Sequence, residues 1–324
     1  MPRTDPQGAR TRFGRTLIIA NPASQMGAGA RIADELQRFL TLYFSDDGPF
    51  ELVHTERAGH AVELAAGASG YQTVLALGGD GAVHEVANGL MGIAAAERPV
   101  LGLVPAGSGN DYARTLGIHD WHGASFEWLT RCEARPMDLG RICGVDPQGA
   151  PFTEYYVQTC SFGLDADIAL GTMDLRQSTP LRGDALYTVS GVDVFLIRYR
   201  TFAVRVQLDD AEPLDLQSII FAMQVGPTYG SGFKICPEAD TADGLLDVCY
   251  AAGSIPRIVA LPLLLRAKSG NHVGSKHVHL QRARRIALEF ADADYPIQAD
   301  GEKILARRLD IEVVPAALRV LQPR

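Results

Sequence analysis

The stretch Thr73-Val-Leu-Ala-Leu-Gly-Gly-Asp-Gly-Ala-Val-His-Glu-Val-Ala-Asn-Gly-Leu90 decides the fold of the first half of the chain. Its first five residues are apolar or β-branched, as in a buried strand, and two glycines then end the run. After the glycines, Val83, Val86, Ala87 and Leu90 recur at the spacing of a helix with one buried face. The stretch therefore predicts a strand, a glycine turn and a helix.

The rest of the first half repeats this unit. Strand and helix patterns alternate, at residues 17–20, 30–40, 50–54, 59–66, 100–104 and 111–116. Such alternation predicts an α/β domain with a doubly wound parallel sheet. We expect this domain to span residues 15–140, to be completed by residues 310–324, and to follow a flexible tail at residues 1–14.

The second half has a different pattern. Its short β-branched or aromatic runs are separated by Gly, Pro and Asp turns, and lie at residues 155–159, 202–208, 218–225, 245–250, 278–280, 286–290 and 309–314. This spacing predicts antiparallel strands in a sandwich or barrel. We assign residues 141–309 to an all-β sandwich domain.

Composition excludes several classes of protein. The formal net charge of −8 argues against nucleic-acid binding, which usually needs a basic surface. The five cysteines are odd in number and never spaced Cys-x-x-Cys, which favours reduced thiols in a cytoplasmic protein. The most apolar segment, residues 258–265, is too short to span a membrane, and Pro262 interrupts it. These features predict a soluble protein.

Four glycine-containing loops follow the strands of the first half, at residues 21–29, 54–61, 78–81 and 105–112. Ligands of open α/β sheets bind at the carboxyl ends of the strands, where these loops would lie. Glycines there let backbone N–H groups approach phosphate oxygens. A strand-to-helix turn explains any single loop equally well, but the four together favour a phosphate-bearing ligand.

The motifs of commoner phosphate-binding and hydrolytic enzymes are absent. The sequence has no Gly-x-x-x-x-Gly-Lys-[Ser/Thr], and no Gly-x-Gly-x-x-Gly follows the first strand. Ser108 and Ser231 each lie between glycines, but neither has the Gly-x-Ser-x-Gly spacing of a hydrolase.

Six blocks in both halves resemble the signature blocks of the diacylglycerol kinase-like lipid kinases, whose nucleotide-binding fold is shared with NAD kinases and sphingosine kinases. The blocks are Asn21-Pro22, Gly79-Asp80-Gly81 with Glu85, and the segments 105–111, 162–166, 237–247 and 298–302. Each block alone is weak. In this order, over about residues 15 to 315, the set is specific.

The resemblance implies that ATP is the phosphoryl donor. The residues it places around ATP are Asn21, Pro22, Ala23, Ser24, Gln25, Thr55, Gly79, Asp80, Gly81, Ala82, Val83, His84, Glu85 and Ser108. Asp80 would act through Mg²⁺ and its waters, which removes the conflict between its charge and the phosphates. The chain departs from the family at Ala82, where Thr is common, and at His84, where Asn is common. Ser108 replaces a usual Thr and keeps the hydroxyl.

The resemblance also implies a further Mg²⁺ site, formed by Asp240, Asp243 and the carbonyl of Leu245. The residues by themselves indicate an Asp-Gly turn between two strands. Their spacing is not that of an EF-hand loop.

Asp300 and Glu302 are the catalytic candidates. On an extended segment, residues two apart point to the same side, so one carboxylate could take the proton of a lipid hydroxyl while the other organises it or Mg²⁺. The sequence leaves open which of them is the base. An exposed hairpin turn is the alternative interpretation of Asp-Gly-Glu-Lys.

Residues 248–288 contain no Asp or Glu. They contain seven basic residues, which are Arg257, Arg266, Lys268, Lys276, Arg282, Arg284 and Arg285. Anionic lipid attracts such groups. One hypothesis is that the segment 257–285 contacts a membrane surface, which would place the protein at the inner face of the membrane. A core segment with solvated basic flanks explains the pattern equally well.

The leading hypothesis is an ATP- and Mg²⁺-dependent lipid kinase that converts diacylglycerol to phosphatidic acid, with the second domain holding the lipid. A sphingoid-base or related lipid kinase is the nearest alternative. An NAD kinase fits the second half less well. A nucleotide-binding regulatory protein without turnover is the alternative from another class, which Ala82 and His84 keep open. A homodimer is also left open.

Overall fold

The computed structural model describes residues 10–118, 125–178, 195, 199–291 and 295–324. Within it the chain divides into two compact units. The first comprises Met1–Gly107, Ala113–Met137 and Leu318–Arg324, and the second comprises Ser108–Tyr112 and Asp138–Ala317.

The predicted tail needs a correction. Residues 1–9 lie outside the described residues, but Thr11 and Phe13 are buried. The Thr11 hydroxyl donates a hydrogen bond to the carbonyl of Cys132 (3.2 Å), and the Phe13 ring packs edge-on against Phe44. Residues 11–13 are therefore part of the packed first unit and not of a tail.

The N-terminal half begins with alternating strands and helices. In chain order these are β1 (Thr16–Ala20), α1 (Ser24–Gly27), α2 (Gly29–Tyr43), β2 (Phe50–His54), α3 (His60–Ala66), β3 (Thr73–Gly78), α4 (Asp80–Met91), β4 (Val100–Pro105) and α5 (Asp111–Thr115). Neighbouring strands pair in parallel in the order β2-β1-β3-β4. Near the C-terminus, Val320 pairs in parallel with Leu101 of β4. The predicted parallel sheet is confirmed.

The core of the first unit follows from the sequence periodicity. The strands β1 and β3 are buried along their whole length, as expected for a sheet covered on both faces. From α2, Leu36 and Leu40 pack against Ile18, Leu75 and Leu77. The helical spacing of apolar residues in 30–40 therefore marks the face of α2 that covers the sheet.

The remaining elements are mostly strands. They are β5 (Cys132–Val145), β6 (Pro151–Tyr156), β7 (Thr159–Gly163), α6 (Leu164–Ser178), β8 (Phe202–Leu208), β9 (Leu214–Gln224), β10 (Leu246–Ala252), α7 (Arg257–Ala267), β11 (Val278–Ala283), β12 (Arg285–Phe290), β13 (Ile297–Ala299), β14 (Glu302–Ile304) and β15 (Arg308–Pro323). In the second unit, neighbours pair antiparallel in the order β14-β13-β7-β9-β8-β12-β15, and β10 pairs with β9 and β11. The predicted antiparallel β-rich region is confirmed.

Two features of this region differ from the sequence prediction. The single strand expected at residues 155–159 is broken at Val157 and Gln158, where β6 ends and β7 begins. The long strand β5 was not predicted, because Pro136 and two glycines interrupt its pattern. A Cβ on Gly140 would lie 2.0 Å from the ring of Tyr156, so glycine is required there by the aromatic side chain that crosses the strand.

The structure also bears on the cysteines, on membrane-spanning helices and on the apolar run at residues 258–265. All five cysteines are free thiols, as predicted. In the described part of the chain, no helix combines the length and the apolar character needed to cross a membrane. The apolar run at residues 258–265 forms most of α7.

Candidate active site

The four glycine-containing loops leave one edge of the parallel sheet of the first unit. The strand register places Ala20 beside both His54 and Leu77, and Gly78 beside Pro105. These residues are the carboxyl ends of β1, β2, β3 and β4. The loops that follow them are therefore neighbours at the edge where α/β sheets bind ligands.

The loop between β3 and α4 is held by close backbone packing. A Cβ on Gly79 would lie 3.0 Å from the Cα of Gly107, and a Cβ on Gly78 would lie 2.5 Å from the Cβ of Ala82. The N–H of Ala106 donates to the carbonyl of Gly78 (2.7 Å). Glycine is thus needed for the loops after β3 and β4 to lie this close together.

Asp80 begins α4, three residues before the position expected from the apolar spacing. A carboxylate in the first turn of a helix is favoured by the positive end of the helix dipole. Gly79, Asp80, Gly81 and Ala82 are half-buried, so this part of the loop remains accessible to a ligand.

The next two residues of the predicted ATP-binding stretch face inward. Val83 and His84 are buried, and His84 Nε2 lies 3.3 Å from the side-chain nitrogen of Asn88, which also donates to the His84 carbonyl. The side chains of Val83 and His84 therefore pack in the interior.

Glu85 ties two of the loops together. Its two carboxylate oxygens accept the N–H groups of Gly59 and Ala61, each at 3.1 Å. These N–H groups belong to the beginning of α3, which follows the loop carrying Thr55. The bonds make Glu85 a positioning residue for that loop.

The loop after β1 is built around Asn21. Its side-chain oxygen accepts the N–H of Ala23 (2.9 Å), and its carbonyl accepts the hydroxyl of Ser24 (2.8 Å). Gln25 has a φ of 45°, in the left-handed region. The structure therefore brings Asn21–Gln25, Thr55 and Gly79–Glu85 to one edge of the first unit.

Ser108 is exposed and is grouped with the second unit. Asp111, in the same loop, is buried, and its carboxylate accepts the N–H groups of Ser231 and Gly232, both at 2.7 Å. The sequence block 105–111 contained Asp111, but nothing in it indicated that this carboxylate fixes a loop far along the chain.

Asp300 and Glu302 flank a tight turn between β13 and β14. Asp300 has a φ of 49° and Gly301 a φ of 97°, so both have left-handed backbone. The predicted extended segment is therefore wrong, and the alternative, a hairpin turn, is confirmed. Glycine at position 301 suits this backbone because it carries no Cβ.

The two carboxylates of the turn have different surroundings. The Asp300 carboxylate accepts the N–H groups of Val157 (2.7 Å), Gln158 (2.9 Å) and Thr159 (3.0 Å), whereas Glu302 is exposed. Three hydrogen bonds from backbone N–H groups fix a carboxylate in position. Asp300 therefore anchors the turn to the break between β6 and β7, whereas the Glu302 side chain lies at the surface.

A buried polar network lies next to this turn. Gln298 of β13 donates to the Ser161 hydroxyl (2.7 Å), and Tyr229 donates to Asp165 (2.5 Å). Burial raises the pKa of the Asp165 carboxyl to about 6, and the hydrogen bond from Tyr229 opposes this rise. Asp165 belongs to the sequence block 162–166, but no sequence signal pointed to Tyr229.

The predicted Mg²⁺ residues lie in a surface loop before β10. Asp240 and Asp243 accept the N–H groups of Ala242 and Leu245, each at 3.0 Å, as in the Asp-Gly turn that the residues alone indicated. Asp138 braces the loop, because its carboxylate accepts the N–H groups of Gly244 (2.7 Å) and Ala316 (2.8 Å). Asp138 had no signal in the sequence.

Arg282 and the buried Asp247 lie beside this loop, and the described part of the chain contains no group of three or more His, Cys, Asp or Glu side chains placed to hold a metal ion. One oxygen of the buried Asp247 carboxylate has no hydrogen-bond partner among the described residues, while the other lies 3.1 Å from Nε of Arg282. Burial raises the pKa of Asp247, Arg282 lowers it, and the charges of Asp243 and Asp240 raise it further. Two carboxylates and a carbonyl are also the oxygen donors that Mg²⁺ prefers.

Family models match both regions of the chain. The diacylglycerol kinase catalytic domain matches residues 15–142, and the YegS C-terminal NAD kinase beta sandwich-like domain matches residues 158–322. The two matches follow one another in the order expected from the six sequence blocks.

Full-length relatives and solved structures agree. The chain is 30% identical over 316 residues to a diacylglycerol kinase of Mycobacterium tuberculosis (strain ATCC 25618 / H37Rv), with 97% of each covered. It is 32% identical over 260 residues to a probable lipid kinase YegS-like of Pseudomonas aeruginosa, covering 79% of this chain and 78% of the relative.

A solved structure of a diacylglycerol kinase from Bacillus anthracis str. Sterne has a TM-score of 0.69 at 18% identity, covering 96% of this chain and 98% of that one. Another from the same organism has a TM-score of 0.75 at 20% identity, covering 96% and 97%. At these identities the structures establish the fold. Together with the family models and the relatives, they show that the chain belongs to the family of diacylglycerol kinases and YegS-like lipid kinases.

Proposed function

We propose that this member of the lipid kinase family transfers the γ-phosphoryl group of ATP to the hydroxyl of diacylglycerol, giving phosphatidic acid and ADP. The observation that carries the proposal is the packing of the β3 and β4 loops, where Gly79 lies against Gly107 at the carboxyl edge of the parallel sheet. Such glycine loops expose backbone N–H groups to phosphate oxygens. The choice of diacylglycerol follows the name of the relative that matches 97% of the chain.

Residues of the first unit bind the nucleotide in this proposal. The Asn21–Gln25 loop, Thr55 and the Gly79–Ala82 loop surround ATP, and the glycines let the backbone approach the phosphates. Glu85 acts indirectly, because its carboxylate holds the start of α3. The buried side chains of Val83 and His84 support the loop from inside.

Glu302 is the general base in this proposal. Its carboxylate takes the proton from the lipid hydroxyl as the oxygen forms a bond to the γ-phosphorus, and the bond from that phosphorus to the bridging oxygen of ADP breaks. Asp300 is a positioning residue, since its oxygens already accept three backbone N–H groups. The structure thus favours Glu302 over Asp300 for the role that the sequence left open.

Two places would hold Mg²⁺. Asp80 would reach one ion through water beside the phosphates, and Asp240, Asp243 and the Leu245 carbonyl would hold another. When bound near the phosphates, Mg²⁺ neutralises charge that develops during transfer. The loop at residues 240–245 is far in sequence from the turn at residues 300–302. In this proposal, an ion bound in the loop stabilises the second unit.

The test is an assay with purified protein, γ-labelled ATP, Mg²⁺ and mixed micelles that contain either diacylglycerol or a sphingoid base. Label on phosphatidic acid supports the proposal. Label on the sphingoid base, or on NAD when NAD is the acceptor, would mean that the protein is a kinase whose substrate is not diacylglycerol. ATP binding without any labelled product would support a regulatory protein and overturn the proposal.

A further inference from the structure

Helix α7 carries apolar side chains on two faces. On one face, Ala260 is buried and packs with Val259 and Leu264 in a cluster that includes Leu164 of α6 and Phe195. On the other, Ile258, Leu261 and Leu265 are 83%, 46% and 65% exposed. Positions i, i+3 and i+7 lie on one side of a helix, so the three exposed residues form a continuous stripe.

A surface helix of a globular protein usually has polar residues on the side away from its core. In α7, the residues between the two arginines at its ends, Arg257 and Arg266, are all apolar. Large apolar side chains grouped on a surface mark a site for a partner or a membrane, whereas single ones need no explanation. The stripe of α7 is a group of this kind.

The charges around α7 indicate what kind of partner its exposed apolar stripe contacts. Arg257, Arg266 and Lys268 are exposed at its two ends, and residues 248–288 contain no acidic residue. No acidic group in the described part of the chain pairs with Arg266 or Lys268. The guanidinium of Arg257 lies 5.6 Å from the centre of the Tyr199 ring, and remains exposed.

The basic residues farther along the segment are different. Arg282 lies 3.1 Å from Asp247, and Arg285 lies 2.9 Å from Asp210. Their charges are compensated within the second unit. Within the basic segment 257–285, Arg266 and Lys268 at the end of α7, together with Lys276 and Arg284, are exposed and have no acidic partner among the described residues.

We propose that α7 docks the protein on an anionic lipid bilayer. The stripe Ile258–Leu261–Leu265 enters the boundary between headgroups and acyl chains, and Arg266 and Lys268 lie against anionic headgroups. An interfacial helix combines apolar burial with attraction to anionic lipid in this way. Naming a lipid surface rests on the proposed function, but the binding itself needs neither ATP nor turnover.

A second copy of the chain fits this surface less well than a membrane does. Pairing two α7 helices would bury the stripe, but it would also bring the basic residues at the helix ends of both copies into one interface. Like charges across an interface oppose association. The charge pattern therefore favours an anionic surface over self-association.

The test is cosedimentation of the purified full chain with vesicles of phosphatidylcholine, with or without phosphatidylglycerol, in the absence of ATP and diacylglycerol. We expect binding to the anionic vesicles only, and at least about a tenfold loss for the double variant Ile258→Ser with Leu265→Ser. Charge reversal by Arg266→Glu with Lys268→Glu should lower vesicle binding by at least about tenfold. High salt should lower the vesicle binding of the unchanged protein by a similar factor.

Matched controls lie on α2 of the first unit. Leu42 is 78% exposed and Arg38 is also exposed, so Leu42→Ser and Arg38→Glu make the same chemical changes on another surface. Both should leave vesicle binding unchanged. Circular dichroism should show that all variants are folded.

Two results would overturn the docking surface. One is vesicle binding by the α7 variants equal to that of the unchanged protein. The other is a dimer in sedimentation analysis that the Ile258→Ser and Leu265→Ser changes convert to a monomer, because the stripe would then be a protein interface. The kinase assay with a short-chain diacylglycerol in solution is separate: its failure would remove the proposed function while leaving the vesicle result in place.

Discussion

The loop after β3 and the turn between β13 and β14 are both short, acidic and rich in glycine, yet they are held in different ways. In the first, the backbone is fixed by the approach of Gly79 to Gly107, and Asp80 stays half-buried in the first turn of α4. In the second, the Asp300 carboxylate itself fixes the backbone by accepting three N–H groups. The Asp300 carboxylate therefore serves the fold, whereas the Asp80 carboxylate is the one that we propose serves a ligand.

The largest expected effect separates the two carboxylates of the turn. Glu302→Gln should lower turnover by about 100- to 10,000-fold, because the amide cannot accept the proton of the lipid hydroxyl. The urea midpoint of unfolding should not change, since Glu302 is exposed. Glu289→Gln, an equally exposed change on β12, should keep full activity. Wild-type turnover by Glu302→Gln would remove Glu302 from the mechanism.

Asp300→Asn should mainly affect stability. An asparagine keeps one acceptor oxygen but turns an amide group toward backbone N–H donors, which should cost about 3 kcal/mol in the free energy of unfolding. Urea unfolding measures the loss, with the exposed change Asp310→Asn as a control that stays within about 0.5 kcal/mol. An unchanged midpoint for Asp300→Asn would mean that the three hydrogen bonds do not anchor the turn.

The buried Asp165 extends the comparison to a carboxylate with little access to water. Burial raises its pKa from 3.8 to about 6, so its protonated form is favoured in the folded state. That contribution to stability is complete below about pH 4 and is lost as the pH rises through about 6, by up to about 3 kcal/mol.

The neutral variant Asp165→Asn should therefore gain stability relative to the unchanged protein as the pH rises from about 4 to about 7. Thermal unfolding at several pH values measures the difference, and Asn can still accept the hydrogen bond from Tyr229. A difference that stays constant over this range would show that Asp165 does not titrate as the geometry indicates.

The smallest expected effect tests how the nucleotide loop is held. Gly79→Ala places a Cβ 3.0 Å from the Cα of Gly107, which should cost about 1–2 kcal/mol and weaken ATP binding by roughly tenfold. The φ of Gly79 is −92°, so alanine suits its backbone and only the contact is tested. Gly67→Ala, whose nearest neighbour would be 3.6 Å away, is the control. Calorimetric titration with ATP that gives equal affinities would contradict the packing argument.

Much of the first unit could be predicted from the sequence because its signals are local. The strand over 73–78 and the helix after Gly79 follow from apolar spacing and from glycines within a few residues. The antiparallel strands were recognised for the same reason. Local signals did not predict β5. The ring of Tyr156, which is distant in sequence, requires glycine at position 140, and this glycine interrupts the strand pattern.

The sequence pointed to candidate site residues but not to the hydrogen-bond partners of their side chains. It pointed to Glu85 as an ATP-binding residue, to Asp300 as a catalytic candidate and to Asp111 only as a member of a block. In the structure each of these carboxylates accepts backbone N–H groups from another part of the chain, as far as 143 residues away for Asp300 and Val157. No spacing within a block can reveal such a partner.

The sequence by itself determined the alternation of strands and helices in the first unit, the glycine loops at the carboxyl ends of its parallel strands, and the acidic residues available for chemistry. These depend on periodicity and turn propensity over a few residues. Only the tertiary structure decided that Asp300 anchors the turn, that Val83 and His84 face inward, and that α7 presents Ile258, Leu261 and Leu265 outward. The reason is physical: burial and hydrogen-bond partners arise from segments far apart in the chain, and they decide what a side chain can do.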